Sequence, residues 1–573
     1  MKTDITIKIA GEAGQGLQTM GQLIAKSLSR RGLNVFASQA LQSRIRGGHN
    51  CFQIRVSDAR VLAPNDTTDI LIALDNDSSC HLQELKKDSI VIFDSSSVKI
   101  TTDKGIFLDL ALEKIAKESA GNKLMANTVA VGAVLGLLEC DINILFDLIR
   151  ESFGLKSGDI AELNIKAAQA GYDNAYKKVP GNCFSLLNCP KSEPKMLMSA
   201  SESIALGALA AGCKFISAYP MSPSTGIMTY LASKSGEFGI VVEQSEDEIA
   251  SINIALGASY AGVRAMTASS GGGFALMVEG LSLAGMTETP LVIVDAQRPG
   301  PATGLPTRTA QEDLEYVIFA GHGEFPRAVL APSTIEDAFY CALKAFDLAD
   351  KYQIPVIILS DQLLADSFST VEAFDLDSLK IQRHILVDEE LKKVKDYKRY
   401  QITESGVSPR ALPGNPYGLV VVDSDEHDES GHITEDLDFI RPEMVKKRNR
   451  KNEDLLKEMA APLNYGSKSM RNVLIGWGST FGALKEAVDL LNADNQEASL
   501  VHFNQVWPLN KEYFDFLDKA EFVCVAENNF RGQFARLIAS CSGKIIENKI
   551  NKFNGLPFTA GEIVREYKRL KNG

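Results

Sequence analysis

The sequence predicts an α/β protein made of several domains. Short apolar strands alternate with helices in three separate stretches of the chain, which is the pattern of sheets covered by helices. The 573 residues correspond to three or four domains at roughly 100–200 residues each. Hydrophobic residues make up 45% of the chain and charged residues 23%, as in ordinary globular proteins. We therefore expect three α/β domains with polar connections between them.

The first domain is predicted at residues 1–176. A strand at residues 5–11 runs into the sequence GEAGQG and then into a helix, an arrangement that can hold phosphate at a helix N-terminus. The glycines do not follow the G-x-G-x-x-G register, so a tight structural turn and an anion or nucleotide site stay open as alternatives. Gly14 and Gly16 are the candidate residues of that site. Further strands, which predict a mostly parallel sheet, are expected at residues 70–74, 89–94 and 105–110.

Two polar stretches in this part of the chain show no periodic pattern. Residues 43–50, SRIRGGHN, form a basic loop that either contacts an anion or a partner or is simply solvated. Residues 177–198 are rich in Pro, Lys and Asn, and we predict that they form a linker.

The second domain is predicted at residues 199–368, and its main feature is the stretch at residues 240–277. This stretch indicates a strand, an acidic turn, a helix, a second strand, a flexible glycine loop and a second helix. The last acid of the turn, Glu248, stands where the strand passes into the helix. In parallel sheets this edge is where ligands bind.

Two other strand ends of the second domain carry polar side chains. One strand ends in the turn YPMSPST, which contains Ser222, and another is followed by a loop with Arg298 and Thr303. Because the ends of parallel strands meet at one edge, we expect these groups to converge near Glu248. Hydroxyls and a guanidinium beside a carboxyl indicate a site for an anionic ligand.

The remaining chain divides into a charged connection and a last domain. Residues 369–469 are predicted to be irregular and charged. They include an acidic stretch with His427 and His432, which is either a metal site or a solvated face. A basic helix follows the acidic stretch, and we expect the two to pair. Residues 470–573 return to alternating strands and helices, which predicts a third α/β domain.

Composition excludes several classes of protein. The net charge of -13 argues against a general nucleic-acid binder. No apolar run is long enough to span a bilayer and the N-terminus lacks a signal-peptide core, so we expect no membrane association and a cytoplasmic location. The nine cysteines contain no C-x-x-C, so we expect free thiols rather than a zinc site or an iron–sulfur cluster in this chain.

Several long segments resemble one known family, the 2-oxoacid:ferredoxin (acceptor) oxidoreductases. The turn YPMSPST is similar to the family's YPITPSS. The other segments are similar to family segments in the same order: QSEDEIASINIALGASYAGVRAMTASSGGGFALM, QRPGPATGLPTRTAQEDL, SGVSPRALPG, DSDEHDESGHITED and AENNFRGQFARL. The resemblance covers essentially the whole chain and is to an alpha subunit with a fused N-terminal gamma domain. It implies a gamma-type Rossmann-like domain, a thiamine-pyrimidine-binding domain and a transketolase-C-terminal-like domain.

The resemblance also implies a role for Glu248 in catalysis. In thiamine-diphosphate enzymes a glutamate bonds the pyrimidine N1′ and favours the imino tautomer that activates the cofactor. The family's spacing from this glutamate to the next glycines is matched by Glu248 with Gly257 and Gly262. The alternative is that Glu248 only stabilises a helix N-terminus, but Glu246 and Asp247 can do this instead.

Other site residues follow from the same resemblance. Tyr219 and Pro220 are expected on the thiamine-pyrimidine side of the site. Arg298 corresponds to the arginine placed against the 2-oxoacid carboxylate, with Thr303 as a nearby hydroxyl and Ser222 where the family usually has threonine. Arg308 is a weaker candidate for binding a second, distal carboxylate. The loop with Gly14 and Gly16 is a weak candidate for coenzyme A or another anion.

The chain lacks the family's GDG…NN diphosphate–magnesium motif and its cluster cysteines. The resemblance therefore implies a separate beta subunit that supplies diphosphate binding, Mg²⁺ and a [4Fe–4S] cluster, in an (αβ)2 assembly. The implied reaction converts 2-oxoglutarate, CoA and oxidised ferredoxin into succinyl-CoA, CO2 and reduced ferredoxin. Pyruvate or branched-chain 2-oxoacids are alternative substrates. A non-catalytic subunit that binds a nucleotide or acyl-CoA is an alternative of a different class.

Overall fold

The structure of the protein, a computed structural model, describes residues 4–42, 48–101, 104–153, 158–179, 184, 192–377 and 379–572. Half of the predicted linker and most of the predicted basic loop lie outside these residues. The chain divides into two compact units. The first contains Met1–Ser199, Asp366–Ala373 and Phe558–Glu562, and the second contains the remainder.

The first unit is built on an eight-stranded mixed sheet with the strand order β6-β5-β4-β1-β3-β2-β14-β7. Strands and helices are numbered along the chain. The elements of this unit are β1 (Asp4–Glu12), α1 (Leu17–Arg30), β2 (Asn34–Ala40), β3 (His49–Ser57), β4 (Thr68–Ala73), β5 (Leu85–Phe93), β6 (Ile106–Asp109), α2 (Leu112–Ala120), α3 (Ala126–Leu137), α4 (Ile142–Phe153), α5 (Gly158–Lys178), β7 (Met196–Ser199) and β14 (Phe368–Val371).

The prediction of a mostly parallel sheet is wrong for this unit. The four strands expected from the sequence, β1, β4, β5 and β6, are indeed parallel to one another. However, β3 pairs antiparallel with both β1 and β2, and β14 pairs antiparallel with β2 and β7. β2 and β3 follow each other along the chain, which suits antiparallel pairing. They also interleave polar residues with apolar ones (NVFASQA and HNCFQIRVS), so they lack the continuous apolar run of a buried parallel strand.

Helix α3 (Ala126–Leu137) coincides with a long weakly polar run of the sequence. Its described side chains are almost all buried, and it packs closely on α5. A side chain at Gly132 would collide with the carbonyl oxygen of Ala168, and one at Gly171 with that of Val129. The run therefore serves helix packing. Among the described residues, no helix is long and apolar enough to cross a membrane.

The second unit contains two sheets. The seven-stranded sheet has the order β18-β12-β13-β11-β10-β8-β9, and the five-stranded sheet has the order β15-β17-β16-β19-β20. The elements are α6 (Ala200–Ala210), β8 (Phe215–Ala218), α7 (Thr225–Phe238), β9 (Val241–Gln244), α8 (Glu248–Tyr260), β10 (Ala265–Ser269), α9 (Gly271–Met286), β11 (Leu291–Gln297), α10 (Leu314–Phe319), β12 (Ala328–Leu330), α11 (Ile335–Tyr352), β13 (Pro355–Asp361), α12 (Gln362–Asp366), α13 (Asp388–Leu391), α14 (Ile440–Glu458), β15 (Leu463–Gly466), β16 (Asn472–Trp477), α15 (Phe481–Ala493), β17 (Ala498–Phe503), β18 (Gln505–Trp507), β19 (Phe522–Glu527), α16 (Gln533–Ser542), β20 (Asn548–Asn551) and α17 (Ala560–Asn572).

The two sheets of the second unit share one hydrophobic core. Ile293 and Val329 of the larger sheet belong to the same buried cluster as Ile475 and Phe503 of the smaller sheet. Strand β18, from the C-terminal part of the chain, pairs antiparallel with β12 and so extends the larger sheet. Strand β15, which starts before the predicted boundary at residue 470, forms an edge of the smaller sheet.

The charged connection is irregular as predicted, but buried ion pairs attach it to the larger sheet. Asp350, at the end of α11, receives the guanidinium groups of Arg264 at 2.8 Å, Arg383 at 3.1 Å and Arg410 at 3.2 Å. The last two arginines come from the connection itself. An isolated buried charge is costly, so this arrangement favours docking of the connection.

Helix α14 is anchored by a second buried carboxylate. Lys447 and Lys451, one turn apart, both lie 2.5 Å from the carboxylate oxygens of Glu288. All three side chains are at most 1% exposed. Burial alone would raise the pKa of Glu288, but the two lysine charges outweigh it and hold that pKa well below its usual range. The buried stripe of α14 is therefore partly basic.

The predicted pairing of the basic helix with the acidic stretch is confirmed. Arg448 binds both oxygens of Glu426, at 2.8 and 2.9 Å, and Arg441 pairs with the same carboxylate. His427 is fully buried, with its ring 4.1 Å from the ring of Tyr400. In the described part of the chain, one group of side chains has the spacing to hold a metal ion, and neither His427 nor His432 belongs to it.

We expect Glu288→Gln to destabilise the second unit by about 3–5 kcal/mol, because the substitution leaves two buried ammonium groups without their counter-charge. The measurement is denaturant unfolding followed by circular dichroism. Asp454→Asn is the matched control, since Asp454 forms an exposed pair with Lys457 on the same helix and should change stability little. Equal stability of the two variants would contradict the proposed anchoring role.

Candidate active site

Four parallel strands end at the same edge of the seven-stranded sheet. The neighbouring strands are β9, β8, β10 and β11, in this order, and each pairs in parallel with the next. β9 ends at the acidic turn before Glu248, and β8 ends at the turn with Tyr219. β10 leads into the glycines at the start of α9, and β11 leads to Arg298. The strand ends that carry the predicted groups therefore meet at one edge of this sheet.

Glu248 is the first residue of α8 and is only 2% exposed. Its Oε1 accepts a hydrogen bond from the Ser269 hydroxyl at 3.0 Å. The helix cap is a different residue, because the side chain of Asp247 accepts the Ala250 N–H at 2.7 Å. Glu248 is therefore not needed as the cap, and its buried carboxyl is free for another role.

The predicted glycine loop is in fact the first turn of α9, so the expectation of a flexible loop is wrong there. A side chain at Gly273 would collide with Glu248 Oε1 and the Ser269 hydroxyl, and one at Gly271 would collide with the carboxylate of Asp313. The glycines allow a close approach of these polar groups to the helix N-terminus. Their role is space rather than flexibility.

The structure brings Arg298 to the turn that contains Ser222. Arg298 Nη1 donates to the backbone carbonyl of Ser222 at 2.6 Å, so the contact uses the main chain and not the predicted hydroxyl. Burial lowers the pKa of the half-buried Arg298 guanidinium, while the charges of Asp313 and Glu248 act in the opposite direction. Arg298 therefore lies within electrostatic reach of Glu248.

The other predicted site residues at this edge of the sheet are more exposed than Glu248. Tyr219 and Pro220 lie on the surface after β8, with 39% of Tyr219 exposed. Thr303 is exposed in the loop that follows Arg298. On α8, Ile249 is 49% exposed although it is apolar. Among the described residues, this edge is thus an open surface around one buried carboxyl.

The five-stranded sheet holds the far end of the loop that follows Arg298. Gln311 exchanges hydrogen bonds with Asn528: its N–H donates to the Asn528 carbonyl at 2.8 Å, and its Oε1 accepts the Asn528 N–H at 3.0 Å. Asn529 Nδ2 donates to the Gln311 carbonyl at 2.9 Å. Both asparagines belong to the AENN turn after β19. The C-terminal sheet therefore positions the loop that carries Arg298 and Thr303.

Two further acids near the site were missed by the sequence reasoning. Asp295 is fully buried in β11, directly beside Ser269 of β10, and neither of its carboxyl oxygens has a hydrogen-bond partner among the described residues. Burial raises the pKa of Asp295 well above its usual range, and the charge of Asp313 adds to this. For Asp313 itself, burial and then the charge of Glu312 raise the pKa to about 7, against the effect of Arg298. An acid at the end of a buried strand is a weak signal in the sequence alone.

The loop with Gly14 and Gly16 lies in the first unit, between β1 and α1. Both glycines have left-handed φ angles, 98° and 77°, as a tight turn requires. Gly14 and Gly16 line two cavities of about 330 Å³ each. The turn is therefore present, while the anion or CoA site stays a prediction.

Two protein-family profiles match successive parts of this chain. A profile described as pyruvate ferredoxin/flavodoxin oxidoreductase matches residues 6–174. A second profile, described as pyruvate flavodoxin/ferredoxin oxidoreductase, thiamine diphosphate-binding, matches residues 206–446. The second match contains the whole of the edge around Glu248.

Similar proteins cover nearly the full length of this chain. A 2-oxoacid:ferredoxin oxidoreductase subunit alpha from Sulfolobus sp is 33% identical, over 99% of this chain and 97% of that protein. The 2-oxoglutarate oxidoreductase subunit KorA of Mycobacterium tuberculosis is 28% identical, over 98% of this chain and 91% of that protein. A solved structure, 2-oxoglutarate:ferredoxin oxidoreductase from Magnetococcus marinus with 2-oxoglutarate, coenzyme A and succinyl-CoA bound, has a TM-score of 0.92 at 32% identity, over 99% of this chain and 100% of that chain.

Because Asp295 and Asp313 are buried acids with raised pKa values, the stability of the folded chain should fall as the pH rises. The pKa of Asp313 is about 7 in the folded chain, above its value of about 3.9 in an unfolded chain, so folding takes up a proton between these pH values. Stability is therefore greatest below about pH 4 for this group and is lost towards pH 7 and above. Between pH 5 and pH 8, we expect the free energy of unfolding of Asp313→Asn to rise by a few kcal/mol relative to the unchanged protein. This follows from roughly 1.4 kcal/mol per pKa unit.

The measurement is thermal unfolding of both proteins across this pH range. Asp515→Asn, at an exposed carboxyl, is the control and should follow the unchanged protein at every pH. Parallel pH curves for Asp313→Asn and the unchanged protein would show that Asp313 titrates normally.

Proposed function

This chain belongs to the 2-oxoacid:ferredoxin oxidoreductase family as an alpha subunit, and on that premise we propose that its substrate is 2-oxoglutarate. The complete reaction would convert 2-oxoglutarate, CoA and oxidised ferredoxin into succinyl-CoA, CO2 and reduced ferredoxin. The 2-oxoglutarate named for KorA of Mycobacterium tuberculosis and for the Magnetococcus marinus structure supports this choice. The observation that carries the catalytic proposal is the buried Glu248 at the sheet edge, beside Arg298.

The residues at this edge fit the pyrimidine half of thiamine diphosphate. The chain has a thiamine-diphosphate-binding domain at residues 206–446. When bound, this cofactor supplies the nucleophilic carbon and the electron sink for decarboxylation. Glu248 holds a proton at the pyrimidine N1′ and exchanges it there, and Ser269 fixes the orientation of the carboxyl. Tyr219 and Pro220 line the same side.

Arg298 is proposed to bind the carboxylate next to the keto group. A guanidinium offers five donors, and one of its nitrogens already bonds the Ser222 carbonyl, which fixes the position of the group. Thr303, in the same loop, supplies a hydroxyl, as does Ser222. Arg308, five residues further on, is the candidate for the distal carboxylate that distinguishes 2-oxoglutarate from pyruvate.

The open edge supports the proposal that a second subunit completes the site. The buried carboxyl is present, but the sequence lacks the GDG…NN motif for the diphosphate and Mg²⁺. We assign diphosphate and Mg²⁺ binding and the [4Fe–4S] cluster to a beta subunit, with ferredoxin as the acceptor and (αβ)2 as the assembly. CoA is the co-substrate, with Gly14 and Gly16 as its weak candidate site.

The domain division also stays a proposal. We retain a gamma-type domain at residues 1–176, a thiamine-pyrimidine-binding domain at residues 199–368 and a transketolase-C-terminal-like domain at residues 470–573. The linker at residues 177–198 and the charged connection at residues 369–469 separate them. The three sheets support this division, although β7, β14 and β15 show that strands are contributed from the connecting segments.

We expect Glu248→Gln to reduce turnover by about 10²–10⁴-fold, because an amide cannot exchange the proton. The measurement is 2-oxoacid-dependent reduction of a viologen dye by the complex of the variant with its beta partner. The substitution keeps the shape of the side chain and an acceptor for Ser269, so folding should be retained.

Glu246→Gln is the matched control for this experiment, since Glu246 is an exposed acid of the same turn. It should keep near-normal activity. If Glu248→Gln is as active as Glu246→Gln, the catalytic assignment is wrong.

The substrate proposal predicts that the complex prefers 2-oxoglutarate to pyruvate. We expect Arg308→Met to lower kcat/KM for 2-oxoglutarate by roughly 10–100-fold, as for loss of a charged hydrogen bond, and to leave pyruvate turnover nearly unchanged. Pyruvate serves as the internal control for folding and cofactor loading. Equal or better use of pyruvate by the unchanged complex would instead support the pyruvate or branched-chain alternative. A complex without turnover on any 2-oxoacid would support the non-catalytic alternative.

A further inference from the structure

Three side chains of the first unit, His49, Cys80 and His81, form a compact group that we call the His–Cys cluster. His49 is the first residue of β3, and the other two lie on the 3₁₀ turn Asn76–Glu84 between β4 and β5. One ligand atom of each side chain lies within 4.8 Å of the ligand atoms of the other two. The cluster is far in sequence from the residues of the candidate active site and plays no part in the proposed reaction.

The distances within the cluster are close to those around a zinc ion. His49 Nε2 lies 2.9 Å from His81 Nε2, and Cys80 Sγ lies 3.6 Å from His49 Nε2. With bonds of about 2.0–2.1 Å to nitrogen and about 2.3 Å to sulfur, tetrahedral zinc separates two nitrogens by about 3.3 Å and a nitrogen from a sulfur by about 3.6 Å. A small opening between the two rings would therefore admit the ion.

Carboxylates stand behind both histidine rings. His81 Nδ1 lies 2.8 Å from Glu84 Oε1, and His49 Nδ1 faces Asp75 Oδ2 at 3.8 Å. A histidine that binds a metal usually directs its other ring nitrogen at a carboxylate, which fixes the tautomer and leaves the first nitrogen free for the ion. Both rings of the cluster have this orientation, with their Nε2 atoms directed at each other.

With both rings neutral, a simple hydrogen bond between them accounts less well for the arrangement. If His49 Nε2–H donates to His81, neutral His49 carries no proton on Nδ1. The buried His49 Nδ1 and Asp75 Oδ2 would then face each other as two acceptors, and neither atom has a hydrogen-bond partner in the described parts of the chain. A cation between the Nε2 atoms reverses this, because His49 can then carry its proton on Nδ1, towards Asp75.

The ligand types also suit a zinc-type cation. Cys51, two residues after His49 on β3, lies outside the group whose ligand atoms are all within 4.8 Å of one another, so water is the candidate fourth ligand. Glu84 is held by ion pairing with Lys8 and by a 2.9 Å bond from Thr68, so it is fixed behind His81. Sulfur with imidazole nitrogen is the ligand set of zinc, whereas magnesium and calcium prefer oxygen.

We propose that His49, Cys80 and His81 bind one zinc-type divalent ion in the first unit, with water in the fourth position. The ion joins the start of β3 to the turn between β4 and β5. Two segments about thirty residues apart in sequence are thereby connected in a unit without a described disulfide. Its role is structural, since Cys80 and His81 lie on a turn and not in the site around Glu248.

The test measures zinc in the full-length chain, purified without a histidine tag under a reducing agent and loaded with zinc chloride. We expect about one zinc per chain by mass spectrometry after gel filtration, and a loss to background in Cys80→Ser and His81→Gln. The control variants Cys541→Ser and His432→Gln, which lie outside the cluster, should keep the metal. Zinc content in the unchanged protein no higher than in Cys80→Ser would overturn the proposal.

A second measurement does not depend on the folding of any variant. Cobalt chloride added to the zinc-free unchanged protein should give a thiolate-to-cobalt charge-transfer band, because Cys80 binds through sulfur. Absence of this band would also overturn the proposal. In a competition titration with a zinc-binding dye, Glu84→Gln should weaken zinc affinity by about 10–100-fold, as for other carboxylates that orient a histidine ligand. Unchanged affinity in this variant would contradict the role of Glu84.

Discussion

The second unit depends on two buried carboxylates that are neutralised by five cations, four of them from the charged connection. Asp350 is met by three arginines, and Glu288 by Lys447 and Lys451. A buried charge without its partner is strongly destabilising, so the connection cannot detach at low cost. Glu288 directly follows α9, whose first turn lies against Glu248. The same helix thus links the ion cluster at one end to the proposed catalytic carboxyl at the other.

The candidate site combines rigid support with an open surface. Glu248 is oriented by Ser269, and the loop with Arg298 is held at its far end by Gln311 against the AENN turn of the smaller sheet. The smaller sheet therefore contributes to the site through positioning rather than through a proposed ligand contact. The exposed Tyr219 leaves room for the partner subunit that we propose.

The sequence predicted a good part of this arrangement, and its errors have physical causes. The parallel strands β1, β4, β5 and β6 were found because buried parallel strands form continuous apolar runs. β2 and β3 were missed because they mix polar and apolar residues, and this error made the sheet seem mostly parallel. The glycines in the first turn of α9 were interpreted as flexible, since a sequence does not show that a carboxylate approaches them. The acids Asp295 and Asp313 were missed because their proximity depends on strand pairing and on the path of a loop.

By itself, the sequence determined the fold class, the family resemblance and the choice of Glu248, because these depend on local periodicity and on motif spacing along the chain. Only the tertiary structure decided which side chains meet. It placed Arg298 on the main chain of Ser222 and two lysines on Glu288. It also placed His49 beside Cys80 and His81. These contacts join residues that are distant in sequence, and packing and the desolvation of charges in the folded chain select them.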